Sequence, residues 1–276
     1  MTIIDSHQHF WHYTVPDFAW LNEDMHQLRC DFLPEHLQPI LHQNHVAGCI
    51  AVQARQSLQE THWLLELAHS HTFIKGVVGW VNLCSADIDA QLLQLSRQKK
   101  LVGFRHILQA ETPEYMLQPA FINGISHLAK YHFTYDILVY PRHLKAAIEL
   151  VQRFPQQQFV LDHLAKPHIQ SGEIAEWEKD ILQLAKHSNV SCKISGMVTE
   201  ADWQQWKTSD LLPYLDVIKN CFGPRRILFG SDWPMCLLAT SYRDWLQLLL
   251  NYFASSPEAE LKDFFALNAQ SIYGIE

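Results

Sequence analysis

Two histidines one residue apart stand near the start of the chain, in the segment IIDSHQHF at residues 3–10. The preceding isoleucines favour a β-strand, and alternate residues of a strand share a face, so His7 and His9 should present their rings on the same side. Imidazole nitrogens are ligands for divalent transition metals. Because the chain contains 17 histidines, the pair alone is equally compatible with half of a metal site and with a polar rim at a strand end.

Two later segments supply residues that would complete such a site. The segment LDHLAKP carries His163, with Lys166 three residues later, and the segment GSDWP carries Asp232. Three imidazoles and one carboxylate can hold one divalent ion and leave a position for water, as hydrolytic zinc sites require. Asp232 could instead act as a general base, and it could also cap the helix that follows, because the two roles are compatible.

A third segment, GFRHIL, places Arg105 beside His106, and adjacent residues of a strand cannot both point to the same face. A guanidinium suits a substrate oxygen anion or a polarised carbonyl, and a salt bridge inside the protein is the equal alternative for Arg105. The candidate substrate contacts, each with packing or a turn hydrogen bond as its alternative, are Gln53, Trp80, His106, Asp136, Lys166 and Trp233, and the same set is completed by Asn82, Tyr140, Lys193 and Ser195.

These residues lie at the ends of eight short β-rich runs that alternate with helical patterns. The runs are TIIDSHQHF, VAGCIAVQA, FIKGVVGWVNL, LVGFRHIL, FTYDILVY, QFVLDHL, VSCKISG and RILFGSDW. The intervening stretches, such as SLQETHWLLELAHSH and PRHLKAAIELVQRF, carry apolar residues three and four apart. Eight β/α units in a chain of this length, without a glycine-rich nucleotide motif, predict an α/β fold: a single (β/α)8 TIM barrel over residues 1–276, with its active site at the carboxyl ends of the strands.

Local signals mark several junctions between the predicted elements. Ser57 with Glu60 fits a capping box, and Ser85 and Pro141 fit the first turns of helices. The stretch at residues 10–33 is the one long connection and is rich in aromatic residues. Because it follows the first strand, we expect it to lie over the mouth of the barrel.

Composition excludes several classes of protein. Acidic residues outnumber basic ones 29 to 21, giving a net charge of −8 with no basic stripe, so nucleic acid is not an expected partner. The longest apolar runs stop well short of the roughly 20 residues of a membrane span, so no membrane segment is expected. The six cysteines are scattered without a C-x-x-C pair, which predicts reduced thiols and a cytoplasmic location. No G-x-S-x-G elbow or cysteine-nucleophile signature is present, which disfavours covalent catalysis.

Eight segments of the chain resemble the amidohydrolase superfamily, and specifically its sugar-lactonase branch of L-fuconolactonase-like and L-rhamnonolactonase-like enzymes. In chain order they are DSHQHFW, DFLPEHL, VQARQSLQET, GVVGWVNL, LVGFRHILQ, FVLDHLAKP, CKISGMVTEADW and ILFGSDWPMCLLATSY. The resemblance implies a (β/α)8 barrel that hydrolyses lactones of sugar acids, and its functional positions correspond to His7, His9, His163 and Asp232. The chain departs from the two-metal members because it shows no counterpart of their bridging carboxylated lysine or glutamate. The departure implies one divalent ion at most, with zinc expected, or no metal at all.

A small sugar lactone, such as L-fuconolactone or L-rhamnonolactone, is therefore the predicted substrate. Its carbonyl would be polarised by an ion held by His7 and His9, or without metal by Arg105 and His163, while Asp232 takes a proton from the attacking water. The alternatives are a metal-dependent decarboxylase of the same superfamily and a non-catalytic barrel that binds a sugar acid. The particular lactone and the oligomeric state are not specified by the sequence.

Overall fold

Eight parallel β-strands form one sheet in the computed structural model, which describes residues 1–276. The strands are β1 (Ile4–Gln8), β2 (Gly48–Val52), β3 (Ile74–Gly79), β4 (Leu101–Ile107), β5 (Thr134–Leu138), β6 (Phe159–Leu161), β7 (Val190–Ile194) and β8 (Ile227–Phe229). Each strand pairs in parallel with the next one along the chain. All eight predicted strands are thus present in the predicted segments.

The sheet closes where the chain leaves β8 and meets β1. The His9 N–H donates to the Trp233 carbonyl at 2.7 Å, and the Asp232 N–H donates to the His7 carbonyl at 2.8 Å. The backbone that carries the predicted chemistry therefore also joins the last strand to the first. Closed parallel strands with connecting helices confirm the predicted α/β fold, a (β/α)8 TIM barrel.

Ten α-helices connect or follow the strands. They are α1 (Pro34–Gln43), α2 (Leu58–Ser70), α3 (Ile88–Leu95), α4 (Pro119–Leu128), α5 (Leu144–Arg153), α6 (Ala175–Leu184), α7 (Thr208–Phe222), α8 (Tyr242–Tyr252), α9 (Glu258–Lys262) and α10 (Asn268–Tyr273). Helices α1 to α7 each link two successive strands, which confirms the predicted alternation. None of the helices combines the length and the apolar content that a bilayer crossing needs.

The predicted helix starts are partly realised. Ser57 caps α2, since its hydroxyl accepts the Glu60 N–H at 3.3 Å. The reciprocal half of the capping box is absent, because the Glu60 carboxylate accepts the Arg55 N–H at 2.8 Å instead. Pro141 begins a 3-10 turn directly before α5, whereas Ser85 lies three residues before the start of α3.

The carboxyl-terminal segment fills the barrel from the end opposite the predicted site. Its apolar side chains pack with inward-facing strand residues in one cluster of Ile4, Ile50, Val52, Val78, Val102, Val160, Leu228, Ala266, Ala269, Tyr273 and Ile275. The Tyr273 hydroxyl donates to the Asp136 carboxylate and lies 2.9 Å from both of its oxygens. A side chain of α10 therefore reaches the polar layer above the apolar floor.

The long connection at residues 10–33 is held down by its aromatic residues. Trp11 and Phe32 exchange two backbone hydrogen bonds of 2.9 Å. The Phe18 ring lies 5.3 Å from the Trp11 ring, and the Trp233 ring lies 5.2 Å from the Phe32 ring. These contacts attach the loop to the segment that follows β8, at the carboxyl ends of the strands.

Candidate active site

His7 of β1 and His9, directly after this strand, meet in the barrel interior, as their spacing predicted. Their Nε2 atoms lie 3.2 Å apart, and both side chains are buried. The His9 Nδ1 lies 2.8 Å from the Val52 carbonyl, which can only accept, so the proton of His9 is on Nδ1. The Nε2 lone pair of His9 consequently faces the interior.

The other two predicted residues join this pair. Asp232 Oδ1 lies 3.5 Å from His9 Nε2, 3.8 Å from His7 Nε2 and 3.8 Å from His163 Nε2. His163 Nδ1 lies 2.8 Å from the Ser195 hydroxyl, which orients the ring with Nε2 toward Asp232. Residues from β1 and from the segments after β6 and β8 therefore converge on one point.

The surroundings keep the His7 and His163 imidazoles neutral and the Asp232 carboxylate charged. Burial lowers the pKa of His163 to about 4 and holds the pKa of His7 well below its usual value. Burial alone would raise the pKa of Asp232, but the facing imidazoles, His163 first, outweigh it and hold that pKa below the usual range. Neutral imidazoles and an ionised carboxylate are the protonation states that metal ligands need.

The donor set fits a divalent metal ion. The ligand atoms of His7, His9 and Asp232 lie within 4.8 Å of one another, and so do those of a second, overlapping group, His7, Asp162 and His163. Ligands at about 2.0–2.1 Å from a tetrahedral zinc ion are about 3.3 Å apart. The 3.2 Å between the two Nε2 atoms and the 3.5 Å from His9 to Asp232 agree with that spacing.

Asp162 is the central residue that the sequence analysis missed. Its Oδ2 accepts from Arg105 at 3.0 Å, and its Oδ1 lies 3.0 Å from Lys193 Nζ and 3.3 Å from His7 Nδ1. Burial works against its charge, but Lys193 and His7 outweigh burial and hold the pKa of Asp162 well below its usual range. An acidic residue directly before His163 was the available signal.

The local backbone explains why the alternation rule did not find Asp162. Strand β6 ends at Leu161, and the next four residues after Asp162 have left-handed φ values of 52°, 57°, 60° and 50°. Such a run is not a strand, so consecutive side chains no longer alternate between faces. Asp162 and His163 can therefore both face the interior.

Arg105 forms the internal salt bridge that was one of its two predicted roles, and it also lines a cavity. Its guanidinium forms the ion pair with Asp162 and also bonds to the Gln53 carbonyl, while Gln53 Oε1 lies at 3.3 Å. Arg105 also lines the cavity at the mouth of the barrel, and its Nε is buried without a hydrogen-bond partner. The guanidinium therefore supplies positive charge to the cavity as well as to the barrel interior.

The cavity above these residues has a volume of about 700 Å³. Its lining consists of His9, Trp11, Trp20, Met25, Ala54, Arg105, Ile107, Gln109, Ala110, Leu138, Tyr140, His163, Lys166, Thr199, Glu200, Trp203, Asp232, Met235 and Leu238. The long connection supplies Trp11, Trp20 and Met25, which confirms that it lies over the mouth. Lys166 and Glu200 form an ion pair of 2.5 Å in the wall.

A larger cavity of about 890 Å³ adjoins the first and shares Thr199, Glu200 and Trp203 with it. Its lining is mostly polar and includes none of the interior histidines. The chemistry is therefore assigned to the smaller cavity.

Five of the six predicted substrate contacts lie outside the lining of that cavity, and Lys166 alone belongs to it. His106 points away from the barrel axis, stacks on Tyr115 and accepts from Trp80 Nε1 at 3.3 Å. The physical reason is the alternation of β4, which directs the neighbouring Arg105 inward.

The remaining three are fully enclosed by other side chains. Gln53 donates to the Arg105 carbonyl at 3.2 Å, so it supports that strand end. Asp136 lies deeper, bonded to Lys193 and Tyr273, and Trp233 packs against Phe32. The sequence pattern predicted which strand each residue belongs to or follows, but not how deeply its side chain is buried.

The carboxylate of Asp232 is not a helix cap. The Cys236 N–H donates to its backbone carbonyl at 2.9 Å, whereas its side chain faces the three imidazoles. The backbone of Asp232 has a left-handed φ of 56°, which turns the side chain inward. Non-glycine residues in this region concentrate at functional sites.

A closed (β/α)8 barrel with a buried histidine–aspartate centre at the carboxyl ends of its strands defines a class of barrel hydrolases and lyases. The amidohydrolase family model matches residues 4–275, and the chain belongs to the amidohydrolase family.

Three similar proteins extend the comparison. The chain is 39% identical to an L-fucono-1,5-lactonase of Burkholderia multivorans, with 89% of this chain and 86% of the relative covered. It is 35% identical to an L-fucono-1,5-lactonase of Burkholderia ambifaria, with 99% and 96% covered. A crystal structure of an amidohydrolase from Burkholderia multivorans with bound zinc superposes with a TM-score of 0.96 at 38% identity, and all of both chains is covered.

Proposed function

We propose that this protein hydrolyses the lactone ring of a sugar acid, an aldonolactone such as L-fuconolactone or L-rhamnonolactone. The observation that carries the proposal is the ionised Asp232 carboxylate, buried among three imidazoles at the base of a 700 Å³ cavity that Arg105 also lines. The lactonase relatives at 35% and 39% identity support this reaction. A cavity of this size suits one small sugar derivative.

The proposed reaction contains two proton transfers, and Asp232 takes part in both. Asp232 takes a proton from a water molecule while that water forms a bond to the lactone carbonyl carbon. Arg105 stabilises the negative charge that develops on the carbonyl oxygen, and without a metal ion the neutral His163 imidazole would do so as well by donating from its Nε2. When the bond between that carbon and the ring oxygen breaks, Asp232 returns the proton to the ring oxygen. The product is an open hydroxy acid.

A divalent ion is part of the proposal, and we propose zinc. His7, His9 and His163 would hold it together with Asp232, since the ligand atoms of His7, His9 and Asp232 lie within 4.8 Å of one another and His163 Nε2 lies 3.8 Å from Asp232 Oδ1. When bound, the ion supplies Lewis acidity for the carbonyl oxygen and for water.

The cavity wall supplies the groups that would recognise the sugar. The Lys166 ammonium and the Glu200 carboxylate lie side by side, so they can donate to and accept from neighbouring hydroxyl groups. Trp11, Trp20 and Trp203 offer flat apolar surfaces to the ring. Lys166 is therefore retained as a proposed substrate contact.

A screen of aldonolactones with a pH indicator tests this function. Hydrolysis releases one acid group per turnover, so we expect the indicator to report acidification with at least one 6-deoxy aldonolactone. The screen is run before and after chelation, with and without added Zn²⁺, which reports the metal requirement separately. Carbon dioxide release from an aromatic acid would favour a decarboxylase, and binding of aldonates without any turnover would favour a non-catalytic barrel.

The packing around His163 gives a second test of the site. Gly196 has a φ of +60°, and a Cβ there would lie 2.6 Å from His163 Nδ1 and 3.0 Å from Asp232 Oδ2. We expect Gly196→Ala to displace the imidazole and lower kcat about tenfold, in addition to a backbone cost of about 1–2 kcal/mol.

Gly172→Ala is the matched control for this substitution. Gly172 has a similar φ of +72°, but no atom lies within 4 Å of the added Cβ. We expect only the backbone cost of about 1–2 kcal/mol in denaturant titration and an unchanged kcat. Equal kcat values for the two variants would show that the position of His163 is not limiting.

We also propose a cytoplasmic location and a one-domain organisation of residues 1–276. The six cysteines are all free thiols, which supports a reducing compartment. A main apolar cluster of 71 buried residues extends from Ile3 to Phe265, which supports one domain.

A further inference from the structure

His7 has two competing partners at its inner nitrogen. Lys193 Nζ lies 3.2 Å from His7 Nδ1, and Asp162 Oδ1 lies 3.3 Å from the same atom. The ammonium itself is held by Asp136 Oδ2 at 2.5 Å and by Asp162 Oδ1 at 3.0 Å. All four side chains are fully buried, so no solvent competes for these contacts.

The two partners require opposite tautomers of His7. An ammonium can only donate, so a bond from Lys193 requires a lone pair on Nδ1 and places the ring proton on Nε2. A carboxylate can only accept, so a bond to Asp162 requires the proton on Nδ1 and leaves the lone pair on Nε2. Only the second tautomer can give its Nε2 to a metal ion.

The contact with His9 favours the Nε2–H tautomer of His7. His9 carries its proton on Nδ1, which is directed to the Val52 carbonyl, so its Nε2 is an acceptor. The 3.2 Å between the two Nε2 atoms is a hydrogen bond only when His7 donates, with its proton on Nε2.

Two further contacts bear on the choice. Asp162 Oδ1 has no partner in hydrogen-bonding geometry, whereas the Lys193 contact with His7 satisfies that geometry. Arg105 Nη1 lies 3.3 Å from His7 Nε2 and could donate to it only in the Nδ1–H tautomer, but this contact is longer than the 3.2 Å contacts of His7 with His9 and with Lys193. The arrangement of Lys193, His7 and His9 is thus one continuous donor-to-acceptor chain that ends at the Val52 carbonyl.

We propose that Lys193 is a positioning residue that holds His7 as the Nε2–H tautomer when no metal is bound. Binding of a divalent ion then requires the ring proton of His7 to move from Nε2 to Nδ1. In that tautomer the Nδ1–H donates a hydrogen bond to Asp162. The contact with Lys193 is lost in the same step, so Lys193 weakens metal binding and Asp162 favours it. The inference rests on the proposed metal site and is independent of which substrate is turned over.

The metal-free wild-type protein provides the first test. With ¹⁵N-labelled histidine, two-bond ¹H–¹⁵N correlation spectra distinguish the Nδ1–H from the Nε2–H tautomer, and the His7 signals are identified by their loss in His7→Gln. We expect Nε2–H without metal and Nδ1–H after addition of Zn²⁺. A metal-free His7 that already carries its proton on Nδ1 would overturn the proposal, as would a tautomer that zinc does not change.

The variant Lys193→Met provides the second test. We expect the metal-free His7 of this variant to become Nδ1–H, and its affinity for Zn²⁺, measured by competition with a chelating dye, to rise about tenfold. Lys166→Met is the matched control, because it removes another ammonium near Asp232 without touching His7. It should strengthen zinc binding only through charge, with the His7 tautomer unchanged.

The outcomes separate cleanly. A folded Lys193→Met protein in which His7 remains Nε2–H contradicts the proposal. If Lys193→Met does not fold, the wild-type spectra with and without Zn²⁺ decide. None of these measurements uses lactone turnover, so a negative substrate screen and a negative tautomer result have different meanings.

Discussion

Asp232→Asn is expected to lower kcat for lactone hydrolysis about 10³-fold while the KM changes little. A positioned general base contributes typically about 10²–10⁴-fold, and an amide cannot take up the proton of the attacking water. The isosteric amide keeps the size of the side chain, which is buried beside the imidazoles of His9 and His163. The loss therefore reports chemistry more than packing.

Steady-state kinetics on the lactone identified by the screen measures this effect, and denaturant unfolding checks the fold. Asp24→Asn is the matched control, because Asp24 is exposed on the loop over the mouth and makes no contact with the imidazoles. That variant should retain wild-type kcat. A kcat of Asp232→Asn within about tenfold of wild type, roughly 1.4 kcal/mol of barrier, would remove Asp232 from the role of base.

Arg105→Met is expected to lower kcat by about 10²–10³-fold. Loss of one preorganised donor to a developing oxyanion costs typically about 2.7–4 kcal/mol of transition-state stabilisation. Arg105 lines the cavity, and its guanidinium is the donor that would meet this charge. The substitution also leaves Asp162 with Lys193 as its remaining cationic partner.

Arg105→Lys separates charge from geometry. Lysine keeps a positive charge beside Asp162 but cannot bond to Asp162 and the Gln53 carbonyl with two arms at once. We expect it to recover part of the activity, with kcat about tenfold below wild type. If the methionine variant retains full kcat, the guanidinium serves only the barrel, and the carbonyl must be polarised by other groups.

Much of the fold could be predicted because its signals are local. Each strand is a short apolar run covered on both faces, and each helix has an apolar stripe of period 3.6. Closure of the barrel follows from their number and alternation. The half-formed capping box at Ser57 failed because Glu60 found another donor, the Arg55 N–H, which only the packed loop provides.

The residues of the site likewise differ in whether a local sequence pattern predicts their position. His7 and His9 could be paired from their spacing, because strand alternation is a property of the backbone. Asp162 could not be found in this way, since the left-handed turn after β6 replaces that alternation. His106 and Asp136 were assigned to the correct strands, but neither lines the cavity, because side-chain depth depends on neighbours from other elements.

The sequence by itself determined the barrel, the strand ends that face its mouth and the four ligand-type residues, because each depends on period and order along the chain. The tertiary structure alone decided which charged and polar side chains contact one another in the barrel interior beneath these four residues. Lys193, Asp136, Asp162 and Tyr273 come from four different elements, and their contacts balance buried charges at distances near 3 Å. Electrostatic energy at that range depends on spatial distance and shielding from water, which residue order does not specify.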